Sequence, residues 1–172
     1  MRLGMMRMRM CVLLAGVLVA WAGVGSVSGC NRQIDDSDVE VIGLAEMQRL
    51  QADAEGGGRT RIVDVRQPGA FEQAHIPGAI NLPLQHLAAD HPVLEGARRI
   101  VVYSASGTDL LSRAAAKKAM RAGYRRQTVE FQGGLRAWAE AGLPLAGAEA
   151  ERIEAEVEAQ DVDADEDGDE PE

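Results

Sequence analysis

Cysteine is nearly absent. The chain has two, Cys11 and Cys30, and both precede the part that reads as folded. That part can therefore hold no disulfide framework and no cysteine-based metal site. Histidine is equally sparse: His75, His86 and His91 do not have the spacing of a zinc site. No metal and no cofactor is expected. A basic face is also missing. Residues 149–172 hold 13 of the 27 acids and one base, Arg152, whereas residues 31–148 hold 14 acids and 14 bases. The acidity belongs to the tail and the folded part is neutral, which argues against nucleic-acid binding.

Long hydrophobic runs are confined to one place. Residues 1–10 are basic, with Arg2, Arg7 and Arg9, and residues 11–24 are apolar. This run is short for a membrane span but fits the core of a signal peptide. Small residues then lead to Val27-Ser28-Gly29-Cys30. The arrangement resembles the bacterial lipobox. The resemblance implies removal of residues 1–29, acylation of Cys30 and a lipid-anchored protein of the cell envelope, with the membrane as one partner. Asn31 rather than Asp follows the cysteine, which by the enteric sorting pattern favours the outer membrane. A plain secretory signal or an uncleaved anchor would also export the domain. Residues 30–38 read as a polar tether, reaching roughly 26 Å over residues 31–38 at about 3.3 Å per residue.

The domain is expected over residues 39–145. Short apolar strands are expected at 39–42, 62–65, 79–82, 100–103 and 128–131, alternating with helices at 43–52, 68–74, 84–89, 110–122 and 134–141. Pro68 opens one helix, and Gly123 and Gly142 close two others. This alternation implies an α/β fold with a central parallel five-stranded sheet and helices on both faces. Residues 146–172 read as an acidic tail: 146–160 is Ala/Glu-rich and a candidate for a frayed helix, and 161–172 is expected to be disordered.

One stretch concentrates the chemistry. The buried strand at 100–103 runs into Ser104-Ala105-Ser106-Gly107-Thr108-Asp109 and then into a helix. A strand, a tight loop and a helix N-terminus together make an anion site, because free N–H groups and the helix dipole converge there. Ser104 stands where a nucleophile would be placed. Ser106 or Asp109 is a candidate cap for the helix.

Ile62-Val63-Asp64-Val65-Arg66-Gln67-Pro68, continuing through His75-Ile76-Pro77-Gly78-Ala79-Ile80-Asn81-Leu82-Pro83, is similar to the first signature of the rhodanese-like domains. Gly133-Gly134-Leu135-Arg136-Ala137-Trp138 with Gly142-Leu143-Pro144 resembles their closing signature. The resemblance implies a rhodanese-like, sulfurtransferase-type fold whose active-site loop is residues 104–109. Asp64, Arg66 and His75 belong to its signature. Most signature residues read as structural: Asp64 accepts bonds from a neighbouring loop, Arg66 is expected to pair with Glu72, and His75 is a hydrogen-bonded turn residue. Leu135 and Trp138 are core.

The chemistry of such domains needs a cysteine thiolate at the first loop position, to carry sulfur as a persulfide. Here that position is Ser104, which forms no persulfide. Asp109 at the loop's end would repel an anionic donor such as thiosulfate. These features imply a non-catalytic module with a degenerate nucleophile position, binding a protein or small molecule through its loop face. A serine-based enzyme is a competing reading and needs His75 or His86 within reach of Ser104. A third reading makes the acidic tail the working part, binding a cation or a basic protein. Asp163-Ala164-Asp165-Glu166-Asp167-Gly168 matches the first half of an EF-hand loop, but the sequence printed ends before the twelfth position, where a bidentate Glu is needed.

Overall fold

The computed structural model describes residues 33–157. The apolar run, Cys30 and residues 161–172 lie outside the described residues. The elements are β1 (Glu40–Ile42), α1 (Leu44–Glu55), β2 (Thr60–Asp64), α2 (Pro68–Gln73), β3 (Ile80–Asn81), β4 (Arg99–Tyr103), α3 (Leu111–Ala119), β5 (Thr128–Phe131) and α4 (Gly134–Glu140). Residues 150–157 form a further helical stretch. The strands form one five-stranded sheet in the order β1-β5-β4-β2-β3. Every neighbouring pair is parallel.

β4 lies at the centre of the sheet, and the two-residue periodicity of a strand divides its side chains between two cores. Ile100 and Val102 join Ala115, Ala116 and Ala119 of α3 on one face. Val101 and Tyr103 join Met47 of α1 and Leu135 and Trp138 of α4 on the other. These four residues of β4 are fully buried. Full burial of an aliphatic side chain stabilises by roughly 1.5–3 kcal/mol, so β4 is a firm base for the loop that follows it. The alanines of α3 let that helix lie close against the sheet.

Three local expectations need revision. The stretch read as a helix at 84–89 is a single 3-10 turn, Leu84–His86. Lys118 Nζ donates to the Leu84 and Gln85 carbonyls at 2.7 and 3.0 Å, and Leu87 N–H closes the single turn on the Leu84 carbonyl at 3.4 Å. A further 3-10 turn, Pro92–Leu94, was not foreseen. The α3 helix gives way to a π turn, Met120–Tyr124, in which Gly123 adopts φ +108°.

The stretch read as a polar tether is partly docked. Ile34 is buried in the α3-side core. Asp36 meets Lys117 and Asp38 meets Arg125, each at 2.6 Å. Arg121 donates to the Ile34 carbonyl at 2.9 Å. The basic residues at 117, 121 and 125 recur every fourth position, so they share one side of the helical stretch. The Lys117 ammonium, by hydrogen bond and charge, holds the Asp36 carboxyl below its usual pKa.

Candidate functional site

The loop between β4 and α3 takes its shape from its neighbours. Leu135 N–H donates to the Ser104 carbonyl and Arg136 N–H to the Ala105 carbonyl, both at 2.9 Å. Donors from the first turn of α4 thus hold the start of the loop. Gly134 makes this approach possible: its φ is +65°, and a Cβ there would lie 2.7 Å from the Ser104 carbonyl oxygen and 2.8 Å from Ser106 N. Gly134 thus permits close backbone contact, whereas a Cβ at Gly133 would meet the Ala137 and Phe131 side chains.

Inside the loop, the Asp109 carboxylate is turned inward. Oδ1 accepts from the Ser104 hydroxyl at 2.5 Å and from Leu111 N–H at 3.0 Å. Oδ2 accepts from Ser106 N–H at 3.2 Å. Ser106 and Thr108 share a hydroxyl bond at 2.9 Å. Ser104 is fully buried. The N-terminal cap position of α3 is Leu110, not Asp109, and Leu110 makes no side-chain cap. Asp109 instead accepts from the first helical N–H, that of Leu111, two residues on. The sequence placed a carboxylate at the mouth of an anion cradle. In the folded chain that carboxylate sits on the N–H groups of Ser106 and Leu111, so an internal anion already engages them.

No imidazole hydrogen-bonds the Ser104 hydroxyl among the described residues. His75 Nδ1 lies 2.8 Å from the Phe71 carbonyl oxygen. Its ring stacks on Phe71 with centroids 3.8 Å apart, and its backbone bridges Ala146. His86 belongs to the 3-10 turn at Leu84–His86.

Asp64 and Arg66 form a second polar cluster beneath the loop. Arg66 pairs with Asp64, not with Glu72 as expected: Arg66 Nη2 lies 2.6 Å from Asp64 Oδ2, and Nε lies 3.0 Å from Oδ1. The fully buried carboxylate, two residues away, needs a cation, whereas Glu72 is exposed to solvent. Arg66 Nη2 also donates to the Ala74 carbonyl at 2.6 Å. Burial opposes the charge on Arg66, but the hydrogen bonds and charge of Asp64 outweigh it, so its pKa stands above the usual value. Tyr103, which precedes Ser104, accepts from Ile76 N–H at 3.1 Å. Its burial, reinforced by the Asp64 charge, pushes the phenol pKa well above the usual value.

Sequence reasoning missed one buried polar group. Glu130 in β5 is almost completely buried. It accepts from Ser112 Oγ at 2.8 Å and pairs with Arg113 Nε. This clamps the first turn of α3 to the sheet. The signal was available: a glutamate between valine and phenylalanine in a buried strand must find a cation.

With this geometry in place, comparison with known proteins identifies the class. The model of the family described as Rhodanese-like domain matches residues 46–141, and the chain belongs to that family. Over 109 residues it is 36% identical to an HTH-type transcriptional regulator of Mycobacterium tuberculosis, covering 63% of this chain and 46% of that protein. The chain thus spans under half the length of that relative. Over 88 residues it is 34% identical to a protein of Allochromatium vinosum named sulfurtransferase, covering 51% of this chain and 79% of that one. A solved structure from Bacillus halodurans matches with a TM-score of 0.55 at 23% identity, over 66% of this chain and 80% of that one. That likeness supports the α/β fold.

Proposed function

We propose that this chain is a non-catalytic rhodanese-like module, anchored to the cell envelope through an acylated Cys30, which binds a partner through the face around residues 104–109. One observation carries the reading: the Ser104 hydroxyl and the Ser106 and Leu111 N–H groups are all bonded to the Asp109 carboxylate. Ser104 stands where the family's chemistry requires a thiol, and oxygen there cannot form the persulfide. Both cysteines of the chain precede the domain, so no thiol within it can substitute. A thiosulfate dianion entering the loop would have to displace a covalently tethered carboxylate and approach it against like charge. The experiment is thiocyanate formation from thiosulfate and cyanide by the whole chain, beside its Ser104→Ala variant. Equal background rates are expected. Turnover above the variant would overturn the reading. Anchoring is tested by incorporation of labelled palmitate, expected in the parent and lost in Cys30→Ser.

A further inference from the structure

Residues 111–126 carry six bases and no acid: Arg113, Lys117, Lys118, Arg121, Arg125 and Arg126. Three of them are matched by carboxylates, Arg113 by Glu130, Lys117 by Asp36 and Arg125 by Asp38. The other three have no carboxylate partner among the described residues. Lys118 donates to the Leu84 and Gln85 carbonyls and Arg121 to that of Ile34. Those oxygens satisfy hydrogen bonds but carry no net charge. Arg126 is exposed. Asp35, bonded to Ser37 in the docked segment, sets one negative charge against these three, so the α3 side keeps a surplus of two. The acidic stretch 150–157 packs on the opposite face of the sheet, where Ile153 joins the core of α1 and α4.

The docked segment also shortens the chain's leash. Ile34 is buried on the α3 side, and four residue steps join it to Cys30, a reach of at most about 13 Å at about 3.3 Å per residue. A chain free as far as residue 39 would reach about 30 Å. We propose that the α3 side of the domain is its seat on an anionic lipid surface, with Lys118, Arg121 and Arg126 toward the headgroups and α1 and α4 turned outward. This rests on the acylation of Cys30 in the reading above. The anchor assigns the occupant: a nucleic acid or an acidic protein would also satisfy the charge, but an acylated Cys30 keeps a lipid surface within reach of this side. A single acyl chain holds a membrane only marginally and a basic patch supplies the second signal. Each Lys or Arg near an anionic surface strengthens the attachment about fivefold.

The test reconstitutes the full chain, expressed and processed in a bacterium, into vesicles that carry a headgroup quencher. The domain has no cysteine of its own. Gln85→Cys, exposed beside Lys118, and Ala141→Cys, exposed at the end of α4, therefore each give it one labelling site. In equal mixtures of phosphatidylcholine and phosphatidylglycerol, the label at residue 85 is expected to be quenched at least twofold more than the label at residue 141. Arg126→Glu cancels the surplus at an exposed position, and is expected to bring the two labels to parity. So is salt of about 1 M, where the screening length falls to about 3 Å. Equal quenching in the parent overturns the inference. So does a difference that persists in phosphatidylcholine alone or in Arg126→Glu, since the leash alone would then set the pose. Failure of the anchor shows separately, as absent palmitate incorporation. Co-sedimentation with phosphatidylglycerol vesicles then judges the patch: binding about 25-fold tighter in the parent than in Arg126→Glu, for two charges, sustains the lipid seat, and equal binding defeats it.

Discussion

The Ser104 hydroxyl donates to the Asp109 carboxylate across 2.5 Å, within a single turn of loop. An ionised acceptor makes this bond stronger than a neutral one. It joins the first residue of the loop to the residue that ends it, and it is made where solvent does not reach the serine.

Removing the acceptor exposes what it holds. Asp109→Ala leaves a buried hydroxyl and two backbone N–H groups without their partner, and is expected to cost about 1–3 kcal/mol. Combining it with Ser104→Ala is expected to cost less than the sum of the singles, because the second change removes the orphaned hydroxyl. Urea unfolding of the parent, both singles and the double variant closes the cycle.

Restoring sulfur alone is expected to fail. In Ser104→Cys the thiol would face the Asp109 carboxylate, and like charges some 4 Å apart near a protein surface cost about 4 kcal/mol. The thiol stays protonated and does not attack thiosulfate. In Ser104→Cys/Asp109→Ala that charge is gone, and thiocyanate formation is expected at least tenfold above the single variant.

Gly134→Ala tests the support from α4. A methyl group there meets the Ser104 carbonyl and Ser106 N inside van der Waals contact, at positive φ. The expected cost is about 1–3 kcal/mol, read as a lower melting temperature. Gly69→Ala, with nothing close to its Cβ position, is the control and should change little.

The raised pKa of Tyr103 predicts an alkaline limb. Because the folded state holds its proton more tightly than the unfolded chain, the associated stability is intact below the unfolded pKa of about 10. It declines as pH rises from there toward the folded value. Tyr103→Phe is expected to be less stable by about 1 kcal/mol at pH near 7, through loss of the Ile76 bond. The gap should narrow above pH about 10. Urea midpoints for the two proteins across that range check it.

The sheet was readable because its strands are buried on both faces: Ile62-Val63 and Ile100 to Tyr103 are short apolar runs, and Thr128 to Phe131 is one interrupted only by Glu130. The loop was readable because Ser104 to Asp109 sits between such a run and a helix. The local partners were not. Arg66 chose Asp64 over Glu72 because one carboxylate is sealed from water and the other is solvated, a difference that spacing along the chain does not encode. The docking of residues 34–38 was hidden for a related reason. Asp36 and Asp38 look like solubilising residues until the topology brings Lys117 and Arg125 beside them.

The hitching of the Ser104 and Ala105 carbonyls to α4 has a consequence for how such chains are recognised. The loop is gripped from outside, through backbone atoms that every residue possesses, so exchanging one side-chain atom at position 104 leaves its contour unaltered. Reactivity and shape are here separately inherited. A search that scores contour will recover this chain whether or not it can handle sulfur.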